Sequence, residues 1–125
     1  MPPRYLTVVE LLTIHDELIA EFGGSNGIRD MGALEAAVFR PQTGYYDDAI
    51  AEAAALMESI IGSHPFIDGN KRSGFAAADL HLRLNGWLFS RDPDEAAEMI
   101  IALISDGRLD RAELDKLLRE SVEPL

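Results

Sequence analysis

From Phe75 to Leu84 the apolar residues go most of the way round a helix: Phe75, Ala76, Ala77, Ala78, Leu80, Leu82 and Leu84. A helix with so little polar surface has to sit inside, with other helices packed about it. The flanking sequence supplies those helices. Thr7 and Glu10 have capping-box spacing, and Val8, Leu11, Leu12, His15, Leu18, Ile19 and Phe22 follow at helical intervals until Gly23 and Gly24. A short helix follows Asp30 and ends before Pro41, burying Leu34, Ala37 and Val38. A third runs from about Asp48 to Gly62, with Ile50, Ala53, Ala54, Met57, Ile60 and Ile61 on one face. The central one covers about Asn70 to Asn85. Asp92 and Pro93 open a fifth, proline being suited to the first helical position. Asp110 and Glu113 open a sixth, which ends near Glu120. The predicted fold is therefore all-α, a compact single domain over residues 1–125 with about six helices. Strand signals are weak and allow at most a small β-hairpin near Gln42–Tyr46 or Trp87–Ser90.

Charge narrows the function. Lys and Arg number 11 against 22 Asp and Glu, a net charge of −11. Proteins that bind nucleic acid gain affinity by neutralising phosphates, and this chain repels a polyanion at long range. A direct nucleic-acid role is not expected. A small phosphate ligand carrying Mg²⁺ is still allowed, because a local site overcomes diffuse repulsion. The absence of cysteine excludes disulfides, thiolate metal sites and cysteine nucleophiles. No signal peptide or membrane-spanning run is seen, so a cytoplasmic protein is expected.

One segment concentrates chemistry: HPFIDGNKRSGF, His64 to Phe75. Pro65 blocks continuation of the third helix. Asp68 to Arg72 lead into the fourth, whose first turn carries unpaired N–H groups and partial positive charge, a ready anion site. Gly69 lets backbone approach a ligand closely. Lys71 and Arg72 add cations where the helix dipole disfavours them, a cost that bound phosphates relieve. Asp68 is a hard oxygen ligand suited to Mg²⁺. His64 is placed to take a proton from a hydroxyl. Together these are parts of a phosphoryl-transfer site. The residues alone leave a second reading open: a helix–helix corner in which Asp68 caps the fourth helix and the cations are solvated. The spacing fits neither a P-loop nor a dinucleotide fingerprint, and His15, His64 and His81 lack zinc-ligand spacing. His15, on the apolar stripe of the first helix, reads as a core histidine.

HPFIDGNKR resembles the signature of the Fic/Doc family, and IHDELIAEFGG and GIRDMGALEAAVFRPQ resemble the N-terminal half of its Doc (death-on-curing) toxin branch. The resemblance implies a helical fold with the motif loop between two central helices. Fic enzymes move AMP from ATP to a protein hydroxyl through a motif HPFxxGNGRxxR; here Lys71 and Phe75 depart from it. Doc proteins carry lysine at the Lys71 position and act as kinases on an elongation factor of the Tu type, with the nucleotide reversed. On that pattern His64 is the catalytic base, Asp68 the metal-linked carboxylate, and Gly69, Asn70, Lys71 and Arg72 hold phosphate, with ATP and Mg²⁺ as the implied nucleotide and ion. Gly69 is Fic-like, and Ala76 stands where some Doc chains have asparagine. Tyr45 and Tyr46 fall where the family has a flap that aligns the target. The lead expectation is thus a type II toxin phosphorylating Thr or Ser; AMP transfer and a non-catalytic binding module are the alternatives. The resemblance to Doc toxins implies a partner antitoxin with a disordered C-terminal segment, and the self-inhibiting pattern of some Fic proteins is absent here, so the inhibitor is expected to be a separate protein.

Overall fold

The computed structural model describes residues 3–125; Met1 and Pro2, the first positions of the predicted domain, lie outside them. The described chain forms six α-helices, α1 (Val8–Phe22), α2 (Met31–Phe39), α3 (Ala49–Ser63), α4 (Asn70–Leu84), α5 (Pro93–Ser105) and α6 (Arg111–Arg119). Two short strands, β1 (Trp87–Phe89) and β2 (Val122–Pro124), complete it. The caps lie where the spacing put them. Thr7 and Glu10 exchange hydrogen bonds as a capping box. Asp30, Asp48, Asp92 and Asp110 each accept a first-turn N–H, satisfying donors that a helix start otherwise leaves unpaired.

α3 and α4 form the spine, and two apolar clusters share them. Ile50, Ala53, Ala54, Met57 and Ile61 of α3 join Ala78 and Leu82 of α4 against α5 and α6. Leu56 and Ile60 of α3 and Ala77 of α4 join α1, α2 and Phe66. α4 is central as its sequence requires, but α3 is equally enclosed, with every residue from Ile50 to Met57 buried. Its run of alanines allows this, since small side chains let neighbours close in from more than one side. At the crossing, a Cβ on Gly74 would lie 2.9 Å from Ile61 Cγ1, so the glycine sets how closely the two helices approach.

The small sheet is not a hairpin. Trp87–Phe89 pairs antiparallel with Val122–Pro124 near the end of the chain. The segment near Gln42–Tyr46 has no strand: Arg40–Thr43 is a 3₁₀ turn, and Gly44 follows in the left-handed region at φ 81°. Pro41, in that turn, lacks the N–H a ladder needs. Among the described residues no helix is long and apolar enough to cross a membrane.

Candidate active site

α3 ends at His64, which has left-handed backbone (φ 51°, ψ 60°). Among the described residues it is the one non-glycine with positive φ. That conformation costs an L-residue about 1–2 kcal/mol and persists where the surroundings enforce it. The loop before α2 does so here. Arg29 donates through Nε to the His64 carbonyl at 2.6 Å and also to the Ser63 carbonyl. The Arg29 and Asp30 N–H groups both reach the Pro65 carbonyl, at 2.7 and 3.0 Å. Ile28 bridges Phe66, and Ile67 N–H donates to the Gly27 carbonyl. Arg29 also puts a cation on the negative end of the α3 dipole. The His64 side chain is exposed, its Nδ1 3.3 Å from the Gly62 carbonyl. A carbonyl only accepts, so Nδ1 donates in this contact, and in the neutral ring the lone pair is then on Nε2.

Asp68 is held by backbone. Its Oδ1 accepts from Gly69 N–H at 2.9 Å and its Oδ2 from Ser25 N–H at 3.2 Å. Gly24 lies so close beneath that a Cβ there would be 2.6 Å from Oδ2. The Asp68 carbonyl is 2.8 Å from Nε2 of the buried His15. Gly69, at φ 76°, is the N-cap of α4, and it offers no side chain to the first turn. The other five α-helices all have a side-chain cap, so α4 alone leaves its first-turn donors to something else. Asp68 therefore does not cap this helix.

The predicted phosphate residues divide. The buried Asn70 accepts from Phe66 N–H and donates to the Phe66 carbonyl, both at 3.0 Å. Its side chain is committed to the loop, and its own N–H is what faces the helix start. Lys71 and Arg72 are exposed, and the Arg72 guanidinium lies 4.3 Å over the Phe22 ring. The tyrosines also divide. Tyr45 is exposed, while the Tyr46 hydroxyl accepts from Arg40 Nε at 2.6 Å. Arg40 continues to Glu58 and Ser59, which pins the 40–46 segment along the second half of α3. Between α2 and α3 lies a surface groove of about 500 Å³ lined by Ala33, Ala37, Arg40, Thr43, Ser59 and Ser63. It reaches the residue before His64.

Sequence reasoning did not find Arg29, Ser25 or Gly24, which act across 34 to 44 residues, Arg29 through its guanidinium and N–H, Ser25 through its N–H and Gly24 through its missing side chain, and carry no local signal. Among the described residues no three His, Cys, Asp or Glu side chains gather as a metal cage. Each Asp68 oxygen, with one N–H bond, keeps a lone pair. That donor set fits a Mg²⁺ ion sharing its ligands with substrate phosphates rather than a resident metal.

A sequence model of the Fic/DOC family matches residues 5–82. The chain is 42% identical over 95 residues to "Toxin Doc" of Mycolicibacterium smegmatis (strain ATCC 700084 / mc(2)155), covering 70% of this chain and 73% of that protein. It is 33% identical over 87 residues to "Protein kinase doc" of Escherichia phage P1, covering 66% of this chain and 69% of that one.

Proposed function

Because the chain belongs to the Fic/DOC family, we propose that it is a Doc-type toxin, a cytoplasmic kinase moving the γ-phosphate of ATP to a Thr or Ser hydroxyl of a Tu-type elongation factor. The observation that carries this is the uncapped α4 start, flanked by Lys71 and Arg72, one loop away from the exposed His64. The N–H groups of Asn70, Lys71 and Arg72 and the two cations bind the polyphosphate. Asn70 holds the loop in shape through Phe66. Asp68 holds Mg²⁺; when bound, that ion offsets phosphate charge in the transition state. The acceptor segment lies in the groove between α2 and α3, whose wall residue Arg40 holds the Tyr46 hydroxyl, and Tyr45 and Tyr46 help to align it. His64 Nε2 takes the hydroxyl proton as the oxygen bonds to the γ-phosphorus. The bond from that phosphorus to the β-bridging oxygen breaks, and ADP leaves.

AMP transfer is the second reading, and Gly69 was its support. The structure gives Gly69 another reason to be glycine: φ is 76°, and a Cβ would meet Ile19 Cδ1 at 3.2 Å. The name of the mycobacterial relative implies an antitoxin. Here that partner is a separate chain whose disordered segment orders on binding.

Expression in a bacterial host tests the proposal. The wild type is expected to arrest growth, and His64→Ala, folded to the same extent by circular dichroism, is expected not to. Equal arrest by both would remove His64 from the chemistry.

A further inference from the structure

We propose that His15 is a positioning residue for Asp68, setting the carboxylate through the peptide carbonyl it holds; this rests on the reading of Asp68 as the Mg²⁺ carboxylate.

His15 lies on α1, is 2% exposed, and is 53 residues from the loop it touches. Its Nε2 is 2.8 Å from the Asp68 carbonyl, which only accepts, so Nε2 carries a proton. Asp16, 3.9 Å from the other ring nitrogen, is beyond hydrogen-bond reach. The imidazole lies flat on the Phe66 ring, 3.8 Å between centroids and 4° between planes. Phe66 is in turn fixed at both backbone groups by Asn70. The donor is thus aimed by a stack that cannot tilt without moving the loop.

The Asp68 residue is then held at three points: its carbonyl by His15, Oδ2 by Ser25 N–H and Oδ1 by Gly69 N–H. Two of these act on the carboxylate and the third on the peptide that carries it. An apolar residue would fill the α1 seat without burying a polar ring, whose burial costs free energy unless it is bonded. A core histidine satisfied by chance accounts for the bond. It does not account for a partner that is the carbonyl of the one carboxylate placed at the α4 start.

Calorimetry of ADP binding, with Mg²⁺ and with EDTA, tests the assignment without relying on turnover. His15→Phe keeps the stack and loses the donor; His15→Gln keeps a donor at a similar reach. The gain in ADP affinity that Mg²⁺ confers is expected to fall about 10–100-fold in His15→Phe, as for other groups that orient a metal ligand. It is expected to stay within a few-fold of wild type in His15→Gln. Adding His15→Phe to Asp68→Asn is expected to change nothing further. A His15→Phe protein with lowered unfolding midpoint but an unchanged Mg²⁺-dependent gain would overturn the proposal, as would a wild type with no such gain. A wild type that binds Mg²⁺·ADP yet transfers no γ-phosphate would instead fail the kinase reading alone, and the calorimetry would still decide His15. Imidazole ¹⁵N shifts of the wild type give a second check that needs no variant. They are expected to show a protonated Nε2 at His15, and a neutral ring protonated at Nδ1 would contradict it.

Discussion

Replacing Asn70 with alanine would leave the N–H and C=O of Phe66 unpartnered in a place that water does not reach. Leaving such groups unsatisfied costs about 1–3 kcal/mol, so urea unfolding of Asn70→Ala is expected to show a loss of that order. His64 behaves in the opposite sense. Glycine adopts φ 51° without strain, so His64→Gly is expected to stabilise the fold by up to about 1 kcal/mol while lowering transfer about 10²–10⁴-fold. A destabilised His64→Gly protein in the same urea assay would mean that the left-handed turn is not strained. The motif was legible as a contiguous string, and its chemistry could be assigned in order along the chain. What the string could not show is that Asn70 spends its side chain on the loop, because a side chain's choice between ligand and backbone depends on the fold.

Between α3 and α6, Arg119 joins Asp48, the α3 N-cap, at 2.8 and 3.0 Å, and also Asp115. Arg119 and the cap's own N–H bonds hold the Asp48 carboxyl below the usual carboxylate range, against a smaller opposing effect of burial. A depressed carboxylate contributes stability that is complete above the unfolded value, about 3.9, and is lost as pH falls through the lower folded value. Asp48→Asn keeps an N-cap acceptor and removes the charge. Its urea midpoint is therefore expected to change less than that of wild type as pH drops from about 5 to 3. Parallel profiles would show that the pair does not couple α6 to α3. The helices themselves were legible because five of the six carry a cap and a period. β2 was not, since Val122–Pro124 pairs across more than 30 residues with Trp87–Phe89, and the 3₁₀ turn at Arg40–Thr43 follows from α2 running on into Pro41.

The spine is closed at one side by Tyr5, Glu52 and His81, which bring the N-terminal segment, α3 and α4 together. His81 Nε2 lies 3.2 Å from Glu52 Oε1, and the Tyr5 hydroxyl donates to Oε2 at 3.2 Å. Burial pushes the His81 imidazole below its ordinary value and outweighs Glu52, which opposes it. The folded ring stays neutral while the unfolded one takes a proton near pH 6.5. Stability is thus complete above about 6.5 and falls below it. The urea midpoint of wild type is expected to decline between about pH 6.5 and 5 more steeply than that of His81→Gln; equal slopes would place the proton on the folded ring. Taken together, the all-helical plan and the motif loop were readable from periodicity and residue type. The clamp on that loop was not, because the Ser25 N–H, the Arg29 guanidinium and N–H and the bare Gly24 reach it across more than 30 residues of chain, with no local pattern to mark them. The central claim is that these parts hold ATP with its γ-phosphate toward His64. It is tested most directly by incubating the protein with Mg²⁺, a Tu-type elongation factor and ATP labelled at either the γ- or the α-phosphate. γ-Label is expected on the acceptor, none with α-label, and none from His64→Ala; α-label on the acceptor would contradict a γ-phosphate held toward His64.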